Sequence, residues 1–341
     1  MTDKFLIVGL GSMGKRRIRN LQHLGAGELL GFDPRADRRA EVEAKYGVRC
    51  VESFEKGLEW GPGALVISTP PDMHVRYARA AAESGRHFFT EASVVDDGLA
   101  ELDELVTRAG VVAAPSCTMR FHPSIRAIKS AIDDGSIGRV VGLTYHSGQY
   151  LPDWHPWEDI ADYYVSKRET GGCREIVPFE LTWLTWALGD VRKISCFRGK
   201  VSDVPADIDD WYQMLLEFES GVLGHLTVDV VSRVAVRVCR VVGTEGVVEW
   251  SWEDKRVRVF RTADNAWANV AEPEGIRVEG YLLADDMYIA EMDAFVRATR
   301  GQAPYPYTIA EDRRMLELLY AAERSSDDGV HEVTAPAGVK A

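Results

Sequence analysis

A glycine-rich turn close to the start of the chain determines what this sequence can fold into. Four apolar residues, Phe5 to Val8, run directly into Gly9, Gly11 and Gly14 at G-x-G-x-x-G spacing, and a helix-like segment follows from Ser12 to Leu24. In such a unit Gly9 permits the sharp bend, Gly11 lets the backbone approach a pyrophosphate, and Gly14 lets the helix lie against the strand. Because the first N–H groups of the helix face the phosphates, the pattern predicts a dinucleotide site.

The second predicted strand bears on which dinucleotide binds. It runs from Glu28 to Phe32 and ends in Asp33, about 20 residues beyond the turn, where a carboxylate accepts hydrogen bonds from a ribose 2′-hydroxyl. Asp33 favours NAD, because it would repel the 2′-phosphate of NADP. Three arginines beyond it could attract that phosphate or simply form a solvated helix face, so NADP stays an alternative. They are Arg35, Arg38 and Arg39.

Short strands and helices continue to alternate through residue 120. Apolar strands are predicted at Ala64–Ser68, His87–Thr90 and Val111–Ala114, with helical segments between them. This alternation predicts an α/β fold with a doubly wound parallel sheet over residues 1–120.

After residue 120 the pattern changes. Helices are predicted at Pro123–Asp134 and Val177–Leu188, and residues 149–170 form a loop dense in aromatic and polar groups. From Val191 to Phe260 several β-rich runs follow one another without long helices, which indicates an antiparallel sheet. Two amphipathic helices follow, at about 284–300 and 309–325. We therefore expect a second α/β domain over residues 121–341, whose C-terminal helix could pack back on the first domain.

Composition excludes several classes of function. The chain of 341 residues has a formal net charge of −13 and no basic tract, so nucleic acid is an unlikely partner. Its five cysteines form no C-x-x-C pair and no His, Cys, Asp and Glu cluster has ligand-like spacing, so no metal is expected. Without a signal sequence or an apolar run long enough to span a membrane, we expect a cytoplasmic protein.

Several motifs together resemble the Gfo/Idh/MocA family, the glucose-fructose oxidoreductase and inositol dehydrogenase type of NAD(P)-dependent oxidoreductases. The resemblance covers nearly the whole length. The motifs are Gly9-Leu10-Gly11-Ser12-Met13-Gly14, Ser68-Thr69-Pro70-Pro71 with His74, Arg120-Phe121 with Pro123, Gly171-Gly172, Gly243-Thr244-Glu245-Gly246, and Thr308 with Glu311-Asp312.

The resemblance implies an N-terminal Rossmann domain and a C-terminal α/β domain with a large open antiparallel sheet. One face of that sheet would cover the nicotinamide, and the other would pack in homodimers or homotetramers. The implied substrate is a small molecule, a sugar, cyclitol or nucleotide sugar, oxidised or reduced at a ring carbon. The residues expected to bind the cofactor are Gly9, Gly11, Ser12, Met13, Gly14, Asp33, Arg35, Ser68, Thr69, Pro70, His74 and Glu91.

The sequence departs from the family pattern where the chemistry is expected. The family's Glu-Lys-Pro motif, whose lysine commonly serves in proton transfer, appears here as Glu91-Ala92-Ser93. The family's second motif is a glycine pair followed by an aspartate and, four residues later, a histidine on a helix. Counting back from Gly189-Asp190 places Glu175 and Phe179 at those positions, whereas counting forward from the glycines places Glu180 at the histidine.

Proton transfer must therefore use another group. Glu180, near the start of an apolar helix and expected to face a cleft, is the first candidate, and Glu175 is the second. In the aromatic loop, His155 and Tyr163 could complete a proton path. Candidate substrate contacts are Arg120, Trp154, Lys167 and Arg168. Arg120 could instead pair with an acid.

Two classes of function are consistent with these features. One is an NAD(P)-dependent dehydrogenase or reductase acting on CH–OH groups, with a carboxylate in place of the lysine, or a lysine-independent reductase of another substrate. The other is a non-catalytic sensor of dinucleotide or sugar. We favour the enzyme, because acidic and aromatic side chains are still concentrated where the substrate is expected.

Overall fold

The computed structural model describes residues 3–154, 159–278, 284–330 and 332–334. In its first part, strands and helices alternate as predicted. The elements are β1 (Lys4–Val8), α1 (Ser12–His23), β2 (Glu28–Phe32), α2 (Ala36–Tyr46), β3 (Cys50–Val51), α3 (Phe54–Glu59), β4 (Ala64–Ile67), α4 (His74–Glu83), β5 (His87–Thr90), α5 (Leu99–Ala109) and β6 (Ala113–Pro115). The strands form a six-stranded parallel sheet in the order β3-β2-β1-β4-β5-β6, which confirms the doubly wound fold.

The order of these strands creates a crevice. The chain builds outward from β1 through β2 to β3, then returns to the other side of β1 for β4, β5 and β6. At such a reversal the connections after the two central strands leave in opposite directions, and ligands bind beyond the carboxyl ends of the strands. The glycine-rich turn follows β1 at this point.

The rest of the described residues form a larger sheet and four more α-helices. The elements are α6 (Pro123–Asp133), β7 (Val140–Tyr150), α7 (Cys173–Leu188), β8 (Val191–Gly199), β9 (Trp211–Phe218), β10 (Leu223–Asp229), β11 (Val231–Gly243), β12 (Gly246–Ser251), β13 (Arg256–Arg261), β14 (Ala266–Ala271), α8 (Asp286–Thr299), α9 (Ile309–Asp328) and β15 (Glu332–Val333). The nine strands have the order β14-β13-β12-β11-β7-β10-β9-β8-β15. This confirms the large sheet, which is mixed because β7 and β10 pair in parallel.

The two faces of the nine-stranded sheet differ in burial. Along β9, Tyr212, Met214 and Leu216 are buried, while Leu215 between them is exposed. Helices α6 and α7 contact the strands of this sheet. The alternation of period two assigns one face to the core and leaves the other open.

The described part of the chain divides into two compact units that do not follow a single boundary at residue 120. One comprises Met1–Phe121 and Gly275–Arg313, and the other comprises His122–Glu274 and Arg314–Ala341. Helix α8 belongs to the first unit because Phe295 packs in its core, with ring centroids 6.4 Å from Phe5 and 5.9 Å from Phe89. The amphipathic pattern predicted this helix but not the sheet that it covers.

Helix α7 begins at Cys173, four residues before the predicted start at Val177. Two glycines lead directly into it. A Cβ at Gly171 would lie 2.0 Å from the carbonyl oxygen of Val165, and Gly172 has φ +62°. Within the described residues, no helix is long and apolar enough to cross a membrane.

Candidate active site

The turn after β1 has the geometry that its glycines predict. Gly9 has φ +91° and donates its N–H to the carbonyl of Phe32 at 2.9 Å. A Cβ at Gly14 would lie 1.9 Å from the carbonyl oxygen of Gly9, so α1 lies directly against the turn. Gly11 caps α1 without a side chain, and the first turn of the helix carries no acidic residue. The N–H groups there face no competing carboxylate of their own helix, which suits a phosphate.

Asp33 is anchored beside this turn. Its Oδ2 accepts the N–H of Leu10 at 2.8 Å and its Oδ1 accepts the N–H of Arg35 at 2.9 Å. Each carboxylate oxygen can still accept a second hydrogen bond, as a ribose hydroxyl requires. The guanidinium of Arg35 pairs with the exposed Asp37, whereas Arg38 Nη1 lies 3.7 Å from Asp33 Oδ2. Arg38 therefore lies next to the carboxylate of Asp33, while Arg39 Nη1 donates to the backbone carbonyl of Asp33 at 2.7 Å.

The residues after β4 bring buried polar atoms to the same edge of the sheet. The carbonyl oxygen of Ser68 would lie 2.6 Å from a Cβ at Gly9. His74 begins α4 after the turn that contains Pro70, and its Nε2–H donates to the carbonyl of Thr69 at 2.9 Å. Burial lowers the pKa of His74, so its Nδ1 is an acceptor at neutral pH. Among the described residues, neither this nitrogen nor Thr69 Oγ1 has a hydrogen-bond partner.

A salt-bridged group follows β5. Arg17 of α1 donates to Glu91 through Nε at 2.8 Å and through Nη2 at 2.7 Å, and its Nη1 lies 2.9 Å from Glu291 of α8. Ser68 Oγ also donates to Glu91, at 2.9 Å. Arg17 and Glu291 are fully buried, whereas the side chain of Glu91 is 14% exposed. The carboxylate of Glu91 is thus fixed at the edge that carries the glycine turn.

The segment where the family has its lysine is packed against the start of α9. Ala92 supplies no amine, and the hydroxyl of the next residue, Ser93, faces Asp312. Tyr307 donates its hydroxyl to Asp312 Oδ1 at 3.3 Å. Burial, opposed by these hydrogen bonds, raises the pKa of the Asp312 carboxyl to about 7.

Arg120 pairs with an acid. Its Nη1 lies 3.3 Å from Glu311 Oε1 and donates to the carbonyl of Pro306 at 3.1 Å, and the guanidinium stacks 4.6 Å from the ring of Tyr307. Of the two roles predicted for Arg120, these contacts correspond to the structural one. A role in substrate binding stays a prediction.

These residues meet the requirements of a dinucleotide. The N-terminus of α1 suits the pyrophosphate and Asp33 suits a ribose. The buried Thr69 Oγ1 and His74 Nδ1 are unpaired groups of the kind that native structures rarely leave without a ligand or water. Ser12 and Met13 occupy the first turn of α1, where backbone N–H groups have no intrahelical acceptor.

In the second unit, Glu175 lies in the first turn of α7. It is half-buried, and its Oε1 accepts the hydroxyl of Tyr164 at 2.9 Å. Tyr163 packs on Tyr164 with ring centroids 6.0 Å apart. Glu175 is thus half-buried as a residue, with its carboxylate oxygen Oε1 on the Tyr164 hydroxyl and its Oε2 buried.

Glu180 does not face an open cleft, contrary to the prediction. It is completely buried and accepts hydrogen bonds from Tyr145 and Ser147 of β7, at 2.8 and 2.9 Å. Trp183 Nε1 and Arg237 Nε also donate to it, each at 3.0 Å. The expectation of a cleft was wrong because most residues in the first turns of α7 are buried, so an inward-pointing carboxylate here needs internal partners.

Besides Tyr163, the structure gives a position to three of the four residues predicted in the aromatic loop to contact substrate or complete a proton path. Trp154 is half-buried, Lys167 is exposed, and Arg168 pairs with Asp207 at 2.8 Å and Asp209 at 2.9 Å. His155 lies outside the described residues. Across the described residues, no three His, Cys, Asp or Glu side chains converge on a possible metal position.

Sequence reasoning missed several of these groups. Arg17, Glu291 and Tyr164 carry interactions at the two sites, yet none belongs to a motif that names it. One signal was present for Arg17: it follows the last glycine of the turn by three residues, so it lies close to the strand ends. No local signal marks Glu291, whose partners are distant in the sequence.

Family models of known proteins match parts of both units. Residues 4–113 match the model of the oxidoreductase family with an NAD-binding Rossmann fold, and residues 125–249 match the GFO/IDH/MocA C-terminal domain. Myo-inositol 2-dehydrogenase of Thermotoga maritima is 24% identical, covering 94% of this chain and 96% of that protein.

Solved structures share the fold. Levoglucosan dehydrogenase in complex with NADH superposes with a TM-score of 0.86 at 16% identity, over 98% of this chain and 100% of that one. An oxidoreductase from Agrobacterium radiobacter in complex with NAD+, L-tartaric acid and magnesium gives a TM-score of 0.87 at 14% identity, over 98% of each chain.

Proposed function

Because the chain belongs to the Gfo/Idh/MocA family of oxidoreductases, we propose that it is an NAD-dependent dehydrogenase of a sugar or cyclitol. The observation that carries the proposal is the cofactor site in the first unit, where the α1 N-terminus, Asp33 and unpaired buried groups after β4 adjoin the glycine turn. The relative named for myo-inositol covers nearly the whole chain, which supports a polyhydroxylated ring as substrate.

Bound NAD supplies the hydride acceptor, and the protein must orient the substrate and take the proton from its hydroxyl group. The backbone of Gly11 and the first turn of α1 would hold the pyrophosphate, and Asp33 would hold the adenosine ribose. His74 Nδ1 would accept a hydrogen bond from a ribose hydroxyl of the cofactor, and Thr69 Oγ1 could donate or accept one. A preference for NAD over NADP follows from Asp33, although Arg38 beside it tempers the repulsion of a 2′-phosphate.

The proton acceptor in this proposal is Glu175, assisted by Tyr164. A general base must be reachable by the substrate hydroxyl. Glu175 is half-buried as a residue and its Oε1 accepts the hydroxyl of Tyr164, whereas Glu180 is completely buried and paired with Arg237. We therefore assign proton transfer to Glu175 and an internal structural role to Glu180.

The proton-transfer assignment is tested by Glu175→Gln. This variant should lower kcat by about 10²- to 10⁴-fold, because general base catalysis contributes that much, while NADH binding is unchanged. Glu169→Gln, which removes an exposed carboxylate from the preceding loop, is the matched control. Equal kcat for Glu175→Gln and the control would remove Glu175 from the mechanism.

The proposed activity is tested on the purified protein. Tryptophan-to-nicotinamide energy transfer should report tight binding of NADH and weaker binding of NADPH. Absorbance at 340 nm should then reveal NAD+ reduction with members of a panel of sugars and cyclitols that includes myo-inositol and levoglucosan. Cofactor binding without turnover on any ring polyol would favour the sensor function instead.

The open face of the large sheet supports a homodimer or homotetramer. It exposes large apolar side chains, Phe197 on β8, Leu215 on β9 and Leu223 on β10. Exposed apolar patches on a sheet commonly mark an interface between protein chains. The cytoplasmic location stays a prediction from the sequence.

A further inference from the structure

The buried group formed by Arg17, Glu91 and Glu291 has no task in the proposed hydride or proton transfer. It contains two carboxylates and one guanidinium, so with all three groups charged it carries a net charge of −1. Burying charges is costly, and such a group persists only where its hydrogen bonds are well satisfied. Its arrangement therefore needs an explanation.

Glu291 is enclosed by hydrogen-bond donors of its own unit. That carboxylate accepts the N–H of Cys117 and the hydroxyls of Ser116 and Thr118, at 2.7, 3.1 and 2.7 Å, besides its ion pair with Arg17. It is fully buried, and burial raises its pKa. Glu91 is the member of the group with a surface open to a ligand.

Glu91 is connected to the glycine turn. It accepts a hydrogen bond from Ser68, whose own carbonyl lies against Gly9. β1, β4 and β5 are parallel neighbours, so their carboxyl ends lie at one edge of the sheet. The exposed side of Glu91 is thus at the edge where the proposed function puts the cofactor.

We propose that Arg17 is a positioning residue that fixes Glu91 beside the cofactor, where its carboxylate favours the oxidised, cationic nicotinamide over the reduced, neutral one. The inference rests on the proposed NAD binding and goes beyond it by giving these residues control over the relative affinities of NAD+ and NADH. Ala92 adds no opposing charge next to Glu91. Two parallel hydrogen bonds from Arg17 fix both the position and the orientation of the carboxylate.

The test compares dissociation constants for NAD+ and NADH, measured by calorimetry and by fluorescence titration. Glu91→Gln keeps the shape and removes the charge. It should raise the ratio Kd(NAD+)/Kd(NADH) about tenfold, since a unit charge a few ångströms away in a partly buried site is worth at least that much. Glu83→Gln removes the same charge from the exposed end of α4, at the opposite edge of the sheet, and should leave the ratio unchanged.

A second variant tests the part played by Arg17. Arg17→Lys keeps the positive charge but cannot make the paired hydrogen bonds to Glu91 together with the contact to Glu291. It should shift the ratio in the same direction as Glu91→Gln, by a smaller factor. A wild-type ratio in Arg17→Lys would overturn the positioning role.

The outcomes separate the two proposals. If wild-type protein binds neither form of the cofactor, the proposed function fails and this inference fails with it. If it binds both, and Glu91→Gln has the same ratio as Glu83→Gln, only the role of Glu91 and Arg17 is refuted. A raised ratio in Glu91→Gln with an unchanged ratio in Glu83→Gln supports the inference.

Discussion

The buried carboxyl of Asp312 should make the stability of this protein depend on pH in a specific way. Its pKa is raised from 3.8 to about 7, chiefly by burial. The charged groups that face it are Asp96 and Glu311, both of which disfavour its ionisation. The folded protein therefore holds a proton on Asp312 over a range of pH in which the unfolded chain has lost it.

The sign and size of the effect follow from this difference. Where the folded state binds more protons than the unfolded state, stability falls as pH rises. The contribution of Asp312 to the free energy of unfolding is complete below pH 4. It declines by about 1.4 kcal/mol per pH unit from there and is lost above pH 7. Between pH 4 and pH 7 the loss of stability amounts to about 4 kcal/mol, a large part of the stability of a typical domain.

Asp312→Asn isolates this contribution, because an amide has the same shape and does not titrate. The free energy of unfolding in urea should be measured at pH 5, 6, 7 and 8 for wild type and variant. The difference, variant minus wild type, should increase by about 3 kcal/mol between pH 5 and pH 8. Asp97→Asn, which removes an exposed carboxylate from the segment between β5 and α5, is the control. A difference for Asp312→Asn that is independent of pH would show that the carboxyl is already ionised at pH 5 and would refute the reasoning.

Three further predictions concern the turn, the buried acid of α7 and the open sheet face. Gly14→Ala should abolish NADH binding, measured by fluorescence titration, because its Cβ would lie 1.9 Å from the carbonyl oxygen of Gly9 and force the turn open. Glu180→Ala should lower the free energy of unfolding by about 3–5 kcal/mol in urea, because Arg237 would be left buried without its ion pair; a loss below about 1 kcal/mol would contradict that pairing. Leu215→Asp should reduce the molar mass measured by light scattering after size-exclusion chromatography, whereas Glu253→Asp, on the turn after β12, should not.

The sequence predicted the geometry of the glycine turn because its determinants are local. Three glycines within six residues fix the turn, and Asp33 follows the next strand, so spacing alone brings these groups together. The parallel sheet was predicted for the same reason, since short apolar strands alternate with helices. The parallel pairing of β7 with β10 was not, because it joins strands that are separated by α7 and two other strands.

The partners of the acidic residues could not be predicted in this way. The helical repeat of α7 shows which residues share a face but not whether that face meets solvent or the sheet, so Glu180 was expected at a cleft and lies in the interior. The ion pair of Arg17 with Glu291 depends on α8 packing on the first sheet after the chain has completed the large sheet. Such pairings arise from tertiary packing, which periodicity does not encode.

Ala92 stands where the family pattern has its lysine, and this changes the charge beside Glu91. In a Glu-Lys-Pro segment the lysine brings a positive charge next to the glutamate. Here, among the described residues, Glu91 pairs with Arg17, which also pairs with Glu291. With Ala92 neutral, the segment after β5 is one charge more negative than the family pattern implies. A negative charge stabilises a cationic ring but disfavours an alkoxide, so the segment itself is poorly suited to removing a proton from an alcohol. For that reason proton removal is assigned to Glu175 under the proposed function, and Glu91 is assigned to the cofactor under the further inference.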